Sequence, residues 1–104
     1  MEERRKATRL RTNISVRWET LTTQGRGTVS DLSSSGCFVL SGGEVVPHEL
    51  MRLDMSLPGK AMTFWANVVY GISEMGFAVR FIFASDAEQE SLEQVILEGS
   101  AAAV

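Results

Sequence analysis

Phe64-Trp65-Ala66-Asn67-Val68-Val69-Tyr70-Gly71-Ile72-Ser73-Glu74-Met75-Gly76-Phe77-Ala78-Val79-Arg80-Phe81-Ile82-Phe83 is the stretch whose reading decides the fold. Phe64, Ala66, Val68, Tyr70 and Ile72 recur at period two and so share one face of a strand. Phe77, Val79, Phe81 and Phe83 make a matching strand after Gly76. Such alternation is the mark of half-buried antiparallel strands. Ser73-Glu74-Met75-Gly76 is short enough for a hairpin connection, so the two strands lie antiparallel.

The same period extends upstream. Ile14, Val16 and Trp18 alternate first, Thr28 to Leu32 form a second candidate strand, and Cys37 to Leu40 a third just after Gly36. Met51, Leu53, Met55 and Leu57 alternate up to a Pro58-Gly59-Lys60 turn. Downstream, Ser85-Asp86-Ala87-Glu88 is a capping-box pattern that starts a helix. Leu92, Val95 and Ile96 follow at helical spacing, and Gly99 is the expected stop after about three turns. Six short antiparallel strands followed by one helix predict an all-β fold, a small closed or nearly closed barrel that the helix partly covers.

Composition limits what such a barrel does. The chain has 104 residues, 44% hydrophobic and 22% charged, which fits one soluble domain whose function sits on its surface. A net charge of −3 argues against a general DNA or RNA binder. Its basic residues are nonetheless concentrated: Arg4, Arg5, Lys6, Arg9 and Arg11, half of the 10, lie within the first eleven positions. By charge alone that run reads equally well as a solvated tail. Cys37 is the single cysteine, which fits a reducing cytosol, and the absence of an apolar run near 18 residues predicts no membrane insertion. A cytoplasmic location is expected. His48 is the only imidazole and lies in an expected loop, so neither catalysis nor a metal site is expected. Ser33-Ser34-Ser35 lacks the glycine and lysine pattern of a phosphate loop.

Two motifs rise above this background. Arg5-Lys6-Ala7-Thr8-Arg9 places two arginines four positions apart just before the first strand. A guanidinium fork donates paired hydrogen bonds to guanine O6 and N7, stacks on a base, or clamps phosphate. Asp31-Leu32-Ser33-Ser34-Ser35-Gly36 lies between strands. A carboxylate suits the N1–H and N2–H₂ donors of guanine, a serine hydroxyl adds a polar contact, and Gly36 permits a bend or a close backbone approach. The competing reading is a turn whose Asp and Ser side chains bond their own backbone.

In their order, Arg5 and Arg9 followed by Asp31, Ser33 and Gly36, these motifs resemble the PilZ domain, a receptor module for cyclic di-GMP. Asn67-Val68-Val69-Tyr70 and Gly76-Phe77-Ala78-Val79-Arg80-Phe81 are similar to that family's last two strands. The resemblance implies a six-stranded antiparallel barrel with a C-terminal helix. Residues 1–12 would be a basic segment that caps the ligand, 13–98 the barrel and helix, and 99–104 a frayed tail. Arg5 and Arg9 would take guanine and phosphate, while Asp31 and Ser33 would hold a guanine edge at the bend that Gly36 permits. One departure is Ser35, where many members have glycine, so the bend carries an extra side chain. In the family, an arginine at the position of Arg4 goes with an intercalated ligand dimer, which makes Arg4 a further candidate. The output would pass by conformational change to a protein partner. Two other readings compete: a PilZ-like interaction module in pilus or motility assembly that binds no nucleotide, and a barrel that stacks single-stranded nucleic acid. The last needs exposed aromatics among basic residues, of which only Trp65 qualifies.

Overall fold

The computed structural model describes residues 9–57 and 59–102, with the side chains of 99–102 left aside. Six strands and one helix follow in order: β1 (Leu10–Glu19), β2 (Gln24–Leu32), β3 (Gly36–Leu40), β4 (Leu50–Leu57), β5 (Lys60–Ile72), β6 (Gly76–Ile82) and α1 (Asp86–Ala102). The strands close into an antiparallel barrel in the order β1-β2-β3-β6-β5-β4, with β1 pairing both β2 and β4. Closure removes every free sheet edge.

The inward faces form one core. Trp18, Val29, Leu32, Val39, Met51, Leu53, Met55, Phe64, Val68 and Phe77 are almost wholly buried. Each such side chain contributes roughly 1.5–3 kcal/mol on leaving water. Trp18 meets Phe77 edge to face at 5.3 Å, and its indole N–H donates to Ser41 Oγ at 3.1 Å, so the one polar atom of the ring is satisfied. Leu92 and Ile96 bury the stripe of α1 against this core. The helix start is as the sequence indicates: the Glu88 N–H donates to Ser85 Oγ, while Glu88 Oε1 accepts from the Ala84 N–H.

Three details differ from the sequence reading. β1 begins at Leu10, inside the stretch assigned to the arm, because Leu10 pairs with Leu32 and packs on the core edge. α1 runs through Gly99 to Ala102. A glycine costs a helix only about 1 kcal/mol relative to alanine, and Ser100-Ala101-Ala102 carries no breaker to exploit it. Tyr70 and Ile72 do not share the inward face of Phe64, Ala66 and Val68. Both are exposed, because a bulge between Val68 and Tyr70 moves the remainder of β5 to the opposite face.

Candidate functional site

A bulge inverts every side chain beyond it, and the candidate site is built from two such inversions. In β2, Val29 faces inward opposite Val39, yet Asp31 lies opposite Phe38 and Leu32 opposite Cys37. Ser30 is the extra residue. Were Ser30 paired regularly instead of bulged, alternation from Val29 would aim Asp31 into the core, where a carboxylate would be costly. In β5, Val68 opposes Val79 but Tyr70 opposes Ala78, so Val69 is extra. β1 is irregular at the same level, between Arg11 and Ile14, and the Thr12 hydroxyl donates to the Val29 carbonyl there.

The outward-turned residues surround a cleft of about 780 Å³. It is lined by Arg9 and Arg11 from β1 and its approach, Asp31 from β2, Phe38 from β3, Tyr70 from β5 and Arg80 from β6. That volume falls within the range of nucleotide-sized ligand sites. Three arginines against one carboxylate make the cleft positive on a chain that is acidic overall. The Phe38 and Tyr70 rings lie 6.4 Å apart and inclined by 43°. Asp31 is bonded by Arg9, whose Nη2 and Nε donate to Oδ2 at 2.8 and 3.3 Å. The two side chains are 64% and 34% exposed, so this ion pair is worth at most about 1 kcal/mol and is cheap to exchange for another partner.

The Ser33–Gly36 turn explains its own sequence. Ser33 is buried; its Oγ accepts from the N–H groups of Ser35 and Gly36, both at 3.3 Å, and lies 3.3 Å from the Gly36 carbonyl. The Ser33 hydroxyl thus bonds its own turn, which is the competing reading of that residue. Ser35 fits without a left-handed backbone; among the described non-glycine residues only His48 and Glu74 have positive φ. The Ser35 carbonyl accepts from the Phe81 N–H at 2.9 Å, which ties the turn to β6. Gly36 supplies the close approach: a Cβ built there would lie 2.1 Å from the Val79 carbonyl oxygen.

The structure therefore brings Arg9, Asp31, Ser33 and Gly36 to one cleft, while Arg4 and Arg5 lie outside the described residues. It adds Arg11, Phe38, Tyr70 and Arg80, which the sequence reading did not single out. Phe38 and Arg80 were legible as outward positions of β3 and β6. Tyr70 was hidden by the bulge. Among the described residues, no group of three His, Cys, Asp or Glu is arranged to hold a metal, and no helix is long and apolar enough to cross a membrane.

Cys37 lies beneath the cleft. Burial, with the nearby Asp31 carboxylate adding to it, pushes its thiol up from 9.0 to about 12. The raised value means that the unfolded thiol ionises first. Stability is intact below about pH 9 and falls as pH rises from 9 towards 12. Urea unfolding at pH 8 and pH 10.5 should show a smaller alkaline loss in Cys37→Ala than in the parent, and the native thiol should resist alkylation at pH 8. Prompt native alkylation would contradict this burial.

Comparison with known proteins agrees with this architecture. The PilZ domain family model matches residues 3–98. The PilZ domain of YcgR from Escherichia coli, solved with cyclic di-GMP, superposes with a TM-score of 0.81 at 16% identity, covering 97% of this chain and 95% of that one. The PilZ domain of CeSA from a cellulose-synthesizing bacterium gives 0.72 at 14% identity, covering 88% and 97%. The Bacillus subtilis inhibitor of motility, MotI/DgrA, gives 0.77 at 19% identity over 96% of this chain, which spans only 52% of that protein. At such identities these likenesses are of fold. No curated protein sequence matches the chain.

Proposed function

This chain belongs to the PilZ domain family, and from that premise we propose that it binds cyclic di-GMP in the Arg9–Asp31 cleft and relays binding to a protein partner. The observation that carries the reading is the outward Asp31, set by the Ser30 bulge among Arg9, Arg11 and Arg80. Guanine presents two donors, N1–H and N2–H₂, to a carboxylate and two acceptors, O6 and N7, to an arginine fork. The cyclic diester adds two negative charges. Arg11 and Arg80 offset those, and the Phe38 and Tyr70 rings offer faces for a base.

Binding in this account begins with exchange of a weak contact. Guanine takes Asp31 from Arg9, and the freed guanidinium turns to O6, N7 or phosphate. Arg5 joins from the arm, which folds over the ligand. Ser33 and Gly36 act by fixing the turn that aims Asp31. Because residues 10–12 are strand, the capping arm is the stretch ahead of Leu10.

Amide chemical shifts test the location. Cyclic di-GMP should move Asp31, Phe38, Tyr70 and Arg80, whereas cyclic di-AMP, which lacks the guanine donor edge, should leave them in place. Shifts confined to the far end of the barrel would remove the cleft from the proposal.

Arg4 sets the stoichiometry. A self-intercalated ligand pair carries four negative charges and an outer guanine face, and Arg4, the third guanidinium of the arm after Arg5 and Arg9, can offset the charges and stack on the face. Two ligands per chain are expected in the wild type, and one in Arg4→Leu with binding retained. Calorimetry at known active concentration decides; a ratio of one in both proteins takes Arg4 out of the site.

A further inference from the structure

Apart from Lys60, the basic residues of the described chain fall into two groups. Arg9, Arg11 and Arg80 line the cleft above; Arg17, Arg26 and Arg52 line a second depression at the other end of β1, and nothing so far explains them. From Arg11 to Arg17 is six strand residues, roughly 20 Å.

The second group lies on two adjacent rows of the outer barrel surface. One row reads Arg26, Arg17, Asp54, Thr63 across β2, β1, β4 and β5. The next reads Gln24, Glu19, Arg52, Trp65, Ile82 and ends on β6. Arg52 is matched, since its Nη2 contacts Glu19 at 3.1 Å and Asp54 at 3.5 Å. Asp54 is also engaged by the Thr63 hydroxyl at 2.7 Å. Arg17 and Arg26 stand directly opposite one another, and among the described residues neither has an acidic partner within ion-pair distance. Asp54 of β4 stands directly opposite Arg17 on its other side and offsets that like-charge contact in part, so Arg26 is the residue of the row left facing only a like charge.

We propose that this face docks an acidic, extended segment of another protein, independently of whether the cleft binds a nucleotide. Arg17 and Arg26, which are in no ion pair among the described residues, suit carboxylates, to which each can donate in parallel. The ladder amides of β1, β2 and β4 are spent between strands, so no backbone nest waits for a free phosphate. Trp65, 45% exposed beside Ile82, gives the same face an apolar anchor that a small anion has no use for. Arginine and tryptophan are the residues that dominate binding energy at protein interfaces. Two strands across and one row along separate Arg17 from Trp65, roughly 12 Å. The docked segment therefore carries its acidic residues about four extended positions from an apolar one.

The test is an amide and indole shift titration of the full chain, without nucleotide, using a blocked synthetic peptide of alternating glutamate and serine with one phenylalanine four residues beyond. A lysine-for-glutamate copy is the control. The acidic peptide should shift Arg17, Arg26 and the Trp65 indole saturably, and the lysine peptide should not. Arg26→Glu should weaken binding at least about tenfold, with Arg26→Gln intermediate. Trp65→Ala should weaken it without shifting the affected arginines elsewhere. An unchanged affinity in Arg26→Glu, shifts only around Arg9 and Arg80, or equal shifts with inorganic phosphate would overturn the proposal. So would concentration-dependent shifts of the same residues in peptide-free protein, which would assign the face to a second copy.

Discussion

Asp31→Ala and Arg9→Ala should each lower cyclic di-GMP affinity by about 10- to 100-fold or more, while leaving unfolding free energy within about 1 kcal/mol of the parent. The two magnitudes separate because the pair does different work in the free and bound states. In the free chain Arg9 and Asp31 bond one another near solvent, where screening leaves the contact little worth. In the proposed complex each would face a guanine edge or phosphate that has surrendered its water, and an unmatched donor there costs its full desolvation. Arg9→Lys should fail almost as completely, since an ammonium has neither the fork nor the plane. Isothermal titration gives the first quantity and urea unfolding the second. A variant that binds like the parent would remove its residue from the site; one that unfolds would show the pair to be structural.

Gly36→Ala should cost stability and binding together. Its Cβ would sit 2.1 Å from the Val79 carbonyl, which belongs to the β6 backbone and has no rotamer to escape through. Gly36 pairs with Arg80 and Cys37 with Val79, so relieving the clash parts β3 from β6 beside the cleft. Overpacking against backbone of this kind costs about 3 kcal/mol, a large share of the 5–15 kcal/mol that holds a domain together. The urea midpoint should fall sharply and the affinity with it. An unchanged midpoint would show that the strands separate freely at that point, and the turn would then have no fixed geometry to aim Asp31.

The residues that were legible in the sequence, and those that were not, divide on strand parity. Period two located all six strands, the hairpin after Ile72 and the buried faces of Trp18, Leu53, Phe64 and Phe77, because the alternation around each of those four residues is unbroken. The same rule placed Tyr70 and Ile72 inward, and one extra residue at Val69 reversed them. A bulge of a single ordinary residue leaves no mark in composition; Val69 and Ser30 look like any strand residue. Asp31 was identified through its motif and its chemistry, although its exposure depends on a bulge that the sequence does not announce. Ser33 was legible as a polar residue of the turn. Which partner its hydroxyl meets depends on the distance from its neighbours' N–H groups, and only the folded turn sets that. Arg11 and Arg80 were missed because an arginine on an outward strand position is ordinarily a solvated one. They become part of a site only when β1 and β6 are brought to either side of the same cleft.

Calorimetric titration of the unmodified chain with cyclic di-GMP, run beside cyclic di-AMP and GTP at equal concentration, is the most direct test. Saturable heat with cyclic di-GMP alone, lost in Asp31→Ala, is the expected result. No heat with cyclic di-GMP, or equal heat with cyclic di-AMP, would contradict guanine recognition by the Asp31 cleft.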